Sequence, residues 1–216
     1  MLYYSSVRLS TMVFVLSASA LSFAATPTDQ AVINSITNLN DSQATPAKAI
    51  MIDYMKEVHL LSGELAYLSG VIFENAGRNF WGGYILTRPK LKQSRILEFG
   101  GQANDFRVHT VQYRAKPIDL VEIESAGSGQ GQVSQTTDLV YFDGWKAKII
   151  ATAESSSHPG RFSEKLGEED CKTGGEIVSS LKILPSRNEV IKTIQSSNAC
   201  KNAKVATQTE RIKIVL

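Results

Sequence analysis

The chain has 216 residues, with 23 lysines and arginines against 21 aspartates and glutamates, for a formal charge of +2. That length suits one domain, and so even a balance makes no electrostatic case for nucleic acid or an anionic membrane surface. Two cysteines and three histidines, none at metal-ligand spacing, leave no metal or cofactor motif to build on.

The N-terminus reads as an export signal. Residues 1–10 are polar with Arg8 as their only charge, residues 12–23 are apolar apart from small serines, and Ser22-Phe23-Ala24 sets small residues ahead of a cut after Ala24. The apolar run is shorter than the about 20 residues a spanning helix needs. No later stretch spans without charge: residues 47–73, the most apolar, contain Asp53, Lys56, Glu57, His59 and Glu64. The chain divides into a signal peptide over 1–24, a helical segment over 25–77 and an antiparallel β domain over 78–216. The last two form one folded unit, placed by export in the periplasm or outside the cell.

Thr28 or Asp29 caps a first expected helix running to about Leu39, with Val32, Ile33, Ile36 and Leu39 on one side. Thr45-Pro46 starts a second, longer one. Its stripe is Met51, Tyr54, Met55, Val58, Leu61, Leu65, Leu68 and Ile72, at steps of three and four. Ser62-Gly63 and Ser69-Gly70 interrupt it, marking either a kink or a close neighbour, and Asn75-Ala76-Gly77 ends it.

Beyond Arg78 the period changes to two. Strands are expected at 84–88, 95–99, 106–113, 118–124, 139–142 and 145–151, on either side of 185–188, and at 211–216. Trp145, Ala147, Ile149 and Ala151 alternate with polar residues as one buried face. Asp143-Gly144 is the strongest hairpin signal. Residues 125–135, with Gly127, Gly129 and Gly131, read as a mobile hairpin loop. The expected fold class is α+β: two N-terminal helices packed on a mostly antiparallel β-sheet, a curled sheet or a sandwich or open barrel.

Cys171 and Cys200 flank the turn signal Pro185-Ser186-Arg187-Asn188 almost symmetrically, so a hairpin there would carry both to its open end. In an exported chain this predicts a Cys171–Cys200 disulfide, which in the chain-entropy account adds about 3–4 kcal/mol.

Catalytic motifs fail on context. Ser179-x-x-Lys182, Ser196-x-Asn198 and Lys172-Thr173-Gly174 imitate a penicilloyl-serine set, but Ser179 and Lys182 fall in a predicted strand and point to opposite faces. The glycines at 127, 129 and 131 lack dinucleotide spacing. Of His59, His109 and His158, only His158, in the loop-like run from Ser155 to Arg161, is a candidate for chemistry or binding. Phe80, Trp81 and Tyr84 beside Gly82-Gly83 either plug the helix–sheet junction or present a surface to something flat and apolar.

Gly83-Tyr84-Ile85-Leu86-Thr87-Arg88-Pro89 resembles the strand ending in Arg-Pro of periplasmic lipoprotein carriers. The resemblance covers these seven residues and implies a half-open barrel under a helical lid, an acyl-chain ligand, and a binding role for Arg88. Taken together, the residues predict an exported, non-catalytic binding or accessory protein for a protein or apolar small-molecule partner. The alternatives are an assembly component of a surface or secretion apparatus and a small hydrolase.

Overall fold

The computed structural model describes residues 25–39, 50–74, 76, 81–129, 132–158, 175–198 and 204–216. The expected signal peptide over 1–24 lies outside these residues, as do Phe80, Cys171 and Cys200, and the described part contains no disulfide.

The fold is nearly all β, which corrects the α+β expectation. Among the described residues one short α-helix, α1 (Asp29–Asn34), precedes eleven strands. These are β1 (Ile50–His59), β2 (Leu65–Phe73), β3 (Gly82–Arg88), β4 (Gln93–Gly101), β5 (Ala103–Tyr113), β6 (Lys116–Gly129), β7 (Gln132–Asp143), β8 (Lys146–His158), β9 (Gly175–Leu184), β10 (Glu189–Asn198) and β11 (Ala206–Lys213). They form two antiparallel sheets in sequential order: β1-β2-β3-β4, and β5 through β11. No described helix is long and apolar enough to cross a membrane.

Of the two expected helices, the first survives in part. Thr28 caps it, its hydroxyl accepting from Ala31 N at 3.3 Å, but it ends at Asn34 rather than near Leu39. The second is a β-hairpin, β1 paired with β2 from Ile50↔Phe73 to His59↔Leu65. Ser62-Gly63 is not a flaw in a helix but the turn itself, with Gly63 at φ +80°, a backbone region that favours glycine. β2 does not alternate, because Ala66 through Val71 are buried on both faces. A run buried all round loses the period of two that marks a strand. Gly70 does have a close neighbour, but across the hairpin and not beside a helix: a Cβ there would sit 2.5 Å from the ring of its strand partner Tyr54.

Three apolar clusters explain the layers. Between the sheets, Val58, Leu60, Ala66, Leu68, Tyr84 and Leu86 meet Phe106, Val121, Ile123, Val140 and Phe142. On the outer face of the first sheet, Val32 and Ile36 of the N-terminal segment cover Val71, Phe73, Ile85 and Ile96. The helix therefore lies outside the sandwich and does not lid the space between the sheets. After α1 the chain runs along the free edge of β4: Ser94 N donates to Ser35 O at 2.8 Å, and Asn38 brackets Ile96 with two side-chain bonds.

The third cluster joins Leu120, Leu139 and Ala151 to Val190, Leu181 and Ile212. Strands four apart in one sheet touch only if the sheet rolls up. It does: Tyr113 Oη, at the end of β5, donates to Leu216 O at 2.9 Å. The roll begins where β9 leaves β8. Their ladder has three pairs, Ser156↔Ile177, Ser157↔Glu176 and His158↔Gly175. Just beyond them Ser155 Oγ accepts from Ser179 N at 2.9 Å and Ser179 Oγ donates to Glu154 O at 2.5 Å, so serine side chains replace ladder bonds as the strands part.

The nine expected strands fall on β3 through β11, but the last lies at Ala206–Lys213 and shares only residues 211–213 with the expected 211–216. Residues 125–129 and 132–135 are paired strand, not a mobile loop, and Ser155–His158 belong to β8, not to an exposed loop. Both hairpin turns stand: Gly144 follows Asp143 at φ +61°, and Pro185–Arg187 forms a 3-10 turn closed by Asn188 at φ 51°. The β9–β10 register ends at Gly175↔Asn198, which brings the flanks of the cysteine pair side by side.

Candidate functional site

Distant turns converge at one end of the sandwich. Leu61 N, in the β1–β2 turn, donates to Phe142 O at 2.8 Å. Arg88, at the end of β3, clamps Glu64 with two bonds, Nε to Oε1 at 3.1 Å and Nη2 to Oε2 at 2.6 Å. Hydrogen bonding from Arg88, aided by the charges of Arg88 and Lys90, outweighs burial and holds the Glu64 carboxyl below its ordinary value. The Trp145 ring, from the β7–β8 turn, lies under two guanidinium groups, Arg88 at 5.1 Å and Arg95 at 4.9 Å from its centroid. Arg88 is neutralised by Glu64; Arg95 is exposed and forms no ion pair among the described residues.

Beside this cluster the sandwich is open. Leu97, Phe99, Trp145 and Ala147 pack against the core but are only partly buried. Ile149 pairs with Val140 across β7 and β8, so both project from the same face. Val140 is fully buried, whereas Ile149 is 57% exposed. The cause is topological: β9 has already departed, leaving the first part of β8 without a neighbour on that side among the described residues, and the first sheet ends at β4. A bulge between Leu139 and Val140 then breaks the expected alternation, sending Ala151 to the rolled-sheet core and leaving Ile149 on the sandwich face. The arrangement is an apolar strip on the inner face with an aromatic ring and one unneutralised cation at its rim.

A second polar feature links the sheets. Asp119, 2% exposed, accepts from His59 N at 2.6 Å, and the same Oδ2 lies 2.9 Å from His59 Nδ1. Its Oδ1 is buried without a partner. A histidine oriented by a buried carboxylate supplies two parts of a hydrolase triad, but no hydroxyl or thiol among the described residues bonds to this imidazole. The pair stitches β1 to β6. On the opposite face of β6, His109 Nε2 lies 3.1 Å from Glu122 Oε1.

The candidates read from the sequence fare unevenly. Arg88 enters the cluster, but as the partner of Glu64. Tyr84 is fully buried; its hydroxyl accepts from Asp105 N at 2.9 Å and donates to the Glu124 carbonyl, so it pins the sheets together and is not a binding surface. Burial pushes its ionisation well above the usual tyrosine range. Trp81 is exposed, while its carbonyl receives Phe73 N at 2.7 Å. His158 ends β8 with its backbone paired to Gly175, apart from the other candidates. Phe80, Cys171 and Cys200 lie outside the described residues. Sequence reasoning missed Arg95, Trp145, Ile149 and the His59–Asp119 pair as site residues. The one available signal was the tryptophan directly after Asp143-Gly144, at a hairpin tip.

No family model, curated protein or solved structure matches the chain.

Proposed function

We propose that this is an exported, non-catalytic binding protein that receives an apolar or amphipathic partner in the opening between β4 and β8. The observation that carries the reading is Ile149, more than half exposed on a face that is sealed core one strand away at Val140. Leu97, Phe99 and Ala147 extend the strip, and Trp145 under two guanidinium groups gives its rim a polar handle. The Arg-Pro strand that resembles the lipoprotein carriers leads into this same rim, which fits an occupant with a hydrocarbon chain.

Palmitate is a suitable probe, read by tryptophan emission in a Trp81→Phe background so that Trp145 alone reports. A saturable blue shift that disappears in Ile149→Glu, with an unchanged circular dichroism spectrum, is the expected result. Absence of any saturable change would overturn the reading. Export is tested separately: N-terminal sequencing of the protein recovered outside the cytoplasm should begin at Ala25, and intact mass should show both cysteines oxidised.

An assembly role is the second reading, favoured by β11. Residues Ala206–Arg211 are exposed, and one edge of the strand has no neighbour among the described residues. Native mass spectrometry showing a defined oligomer would favour it over a ligand-carrying monomer.

A further inference from the structure

We propose that the end of the molecule built from alternate hairpin turns is a basic docking face for an anionic phospholipid surface. Sequential antiparallel order brings the turns after β1, β3, β5, β7 and β9 to one end. Side-chain and backbone contacts tie them together. Lys116 runs past Gly63, Leu61 bonds to Phe142, and Arg88 covers Trp145. Ile214 N bonds to Asn188 O, while Leu216 O receives Tyr113 Oη, so the β9–β10 turn and the β5–β6 turn are joined through the last residues of the chain.

The near balance of charge in the composition conceals a separation along the strands. The turn end exposes Lys90, Lys92, Arg114, Lys116, Lys146 and Arg187. Two of the carboxylates there are engaged, Glu64 by Arg88 and Glu189 by Arg211 and Lys213 at 3.7 and 3.5 Å. Asp143 and Glu57 are the exposed ones, and Glu57 lies 3.4 Å from the Tyr67 hydroxyl. Among the described residues the strands expose Glu98, Asp105, Glu154 and Glu176 toward the opposite end, where Arg107 is taken up by Glu122 and Glu124 and Lys204 is the other exposed cation. A face of one sign opposite a face of the other orients the molecule in the field of a charged surface, whatever its net charge.

Apolar tips favour a lipid surface over an acidic polymer. Leu91, at the crest of the β3–β4 turn, is 46% exposed between Lys90 and Lys92, and Val215, beside the β9–β10 turn, is 78% exposed. Cations flanking an exposed apolar side chain suit the headgroup boundary, where the ammonium groups meet phosphate and the hydrocarbon meets acyl chain. This inference rests on charge and turn geometry, independently of what occupies the opening beside β8.

The test is co-sedimentation of the mature protein with vesicles of phosphatidylcholine alone or mixed equally with phosphatidylglycerol, at about 50 mM and about 500 mM salt. Binding is expected to the anionic vesicles at low salt only. Lys92→Glu with Arg187→Glu should weaken it by ~10-fold or more while leaving the melting curve and the palmitate response intact. Leu91→Ser should weaken vesicle binding and leave retention on a heparin column unchanged. No binding to anionic vesicles at low salt would overturn the proposal. Indifference of vesicle binding to Leu91→Ser, together with strong heparin retention, would overturn it in favour of a soluble polyanion.

Discussion

Strands β2 and β3 and strand β11 occupy opposite extremes of one molecule. In the first sheet, β2 and β3 are buried from both sides, by the sandwich core and by the N-terminal segment. At the far edge of the rolled sheet, β11 is exposed on both faces along most of its length. Both regions are antiparallel, and the β2–β3 and β10–β11 ladders run without a register shift. What differs is how much apolar surface each removes from water, and stability should follow that burial rather than strand content.

The sharpest way to break this contrast uses two glycines. A Cβ on Gly100, in β4, would lie 2.5 Å from the backbone carbonyl of Gly82, whereas one on Gly129, in β6, meets nothing within 4 Å. Gly100→Val should therefore cost about 3 kcal/mol or more, or prevent folding, and Gly129→Val should stay within about 0.5 kcal/mol. Equal melting temperatures for the two variants would refute the burial argument.

The junction between the sheets comes next. Asp119→Ala leaves the His59 N–H and imidazole without their buried acceptor and should cost about 2–3 kcal/mol in urea unfolding. A loss below about 0.5 kcal/mol would mean that the stitch contributes nothing and the apolar core alone joins the layers.

A smaller, pH-dependent effect belongs to Glu64. Its carboxyl ionises below its ordinary value in the folded protein, so its contribution is fully present above that ordinary value and fades as pH falls through the folded one. Glu64→Gln should lower the melting temperature at neutral pH by an amount corresponding to about 1 kcal/mol. The two curves should converge in the acid range. A gap that persists at low pH would assign the loss to packing instead.

The smallest change should be a gain. Arg114 and Ala115, in the two-residue turn between β5 and β6, both adopt positive φ, at 49° and 59°. Replacing them with Asn-Gly should stabilise by about 1 kcal/mol. Because the turn also presents Arg114 on the basic face, the same variant should reduce vesicle binding while raising the melting temperature.

The most legible part of the fold was the part where each strand has one wet face. Alternation survives where solvent selects polar side chains at every second position, as after Asp143-Gly144, whereas β3, dry on both faces, and β11, wet on both, are marked instead by β-branched residues and by turn residues such as Pro89. The β1–β2 hairpin was misread because its second strand is dry on both sides, and spacings of three and four then arise without a helix. The site was less legible still. Arg88 could be singled out, but its partner Glu64 is 24 residues away and the other guanidinium on Trp145 belongs to a different turn. His59 and Asp119 are 60 residues apart. Contacts of that reach are made by topology, and no local pattern encodes them.

The narrow seam between β8 and β9 divides the rolled sheet mechanically. Among the described residues, three ladder pairs and the serine clasp around Ser155 and Ser179 carry the hydrogen bonding across it, and beyond them apolar contact and the single bond from Tyr113 to Leu216 O keep β9, β10 and β11 folded over their neighbours. That leaf is hinged like the cover of a book. Under load or in mild denaturant it would swing away first, leaving the sandwich closed behind it.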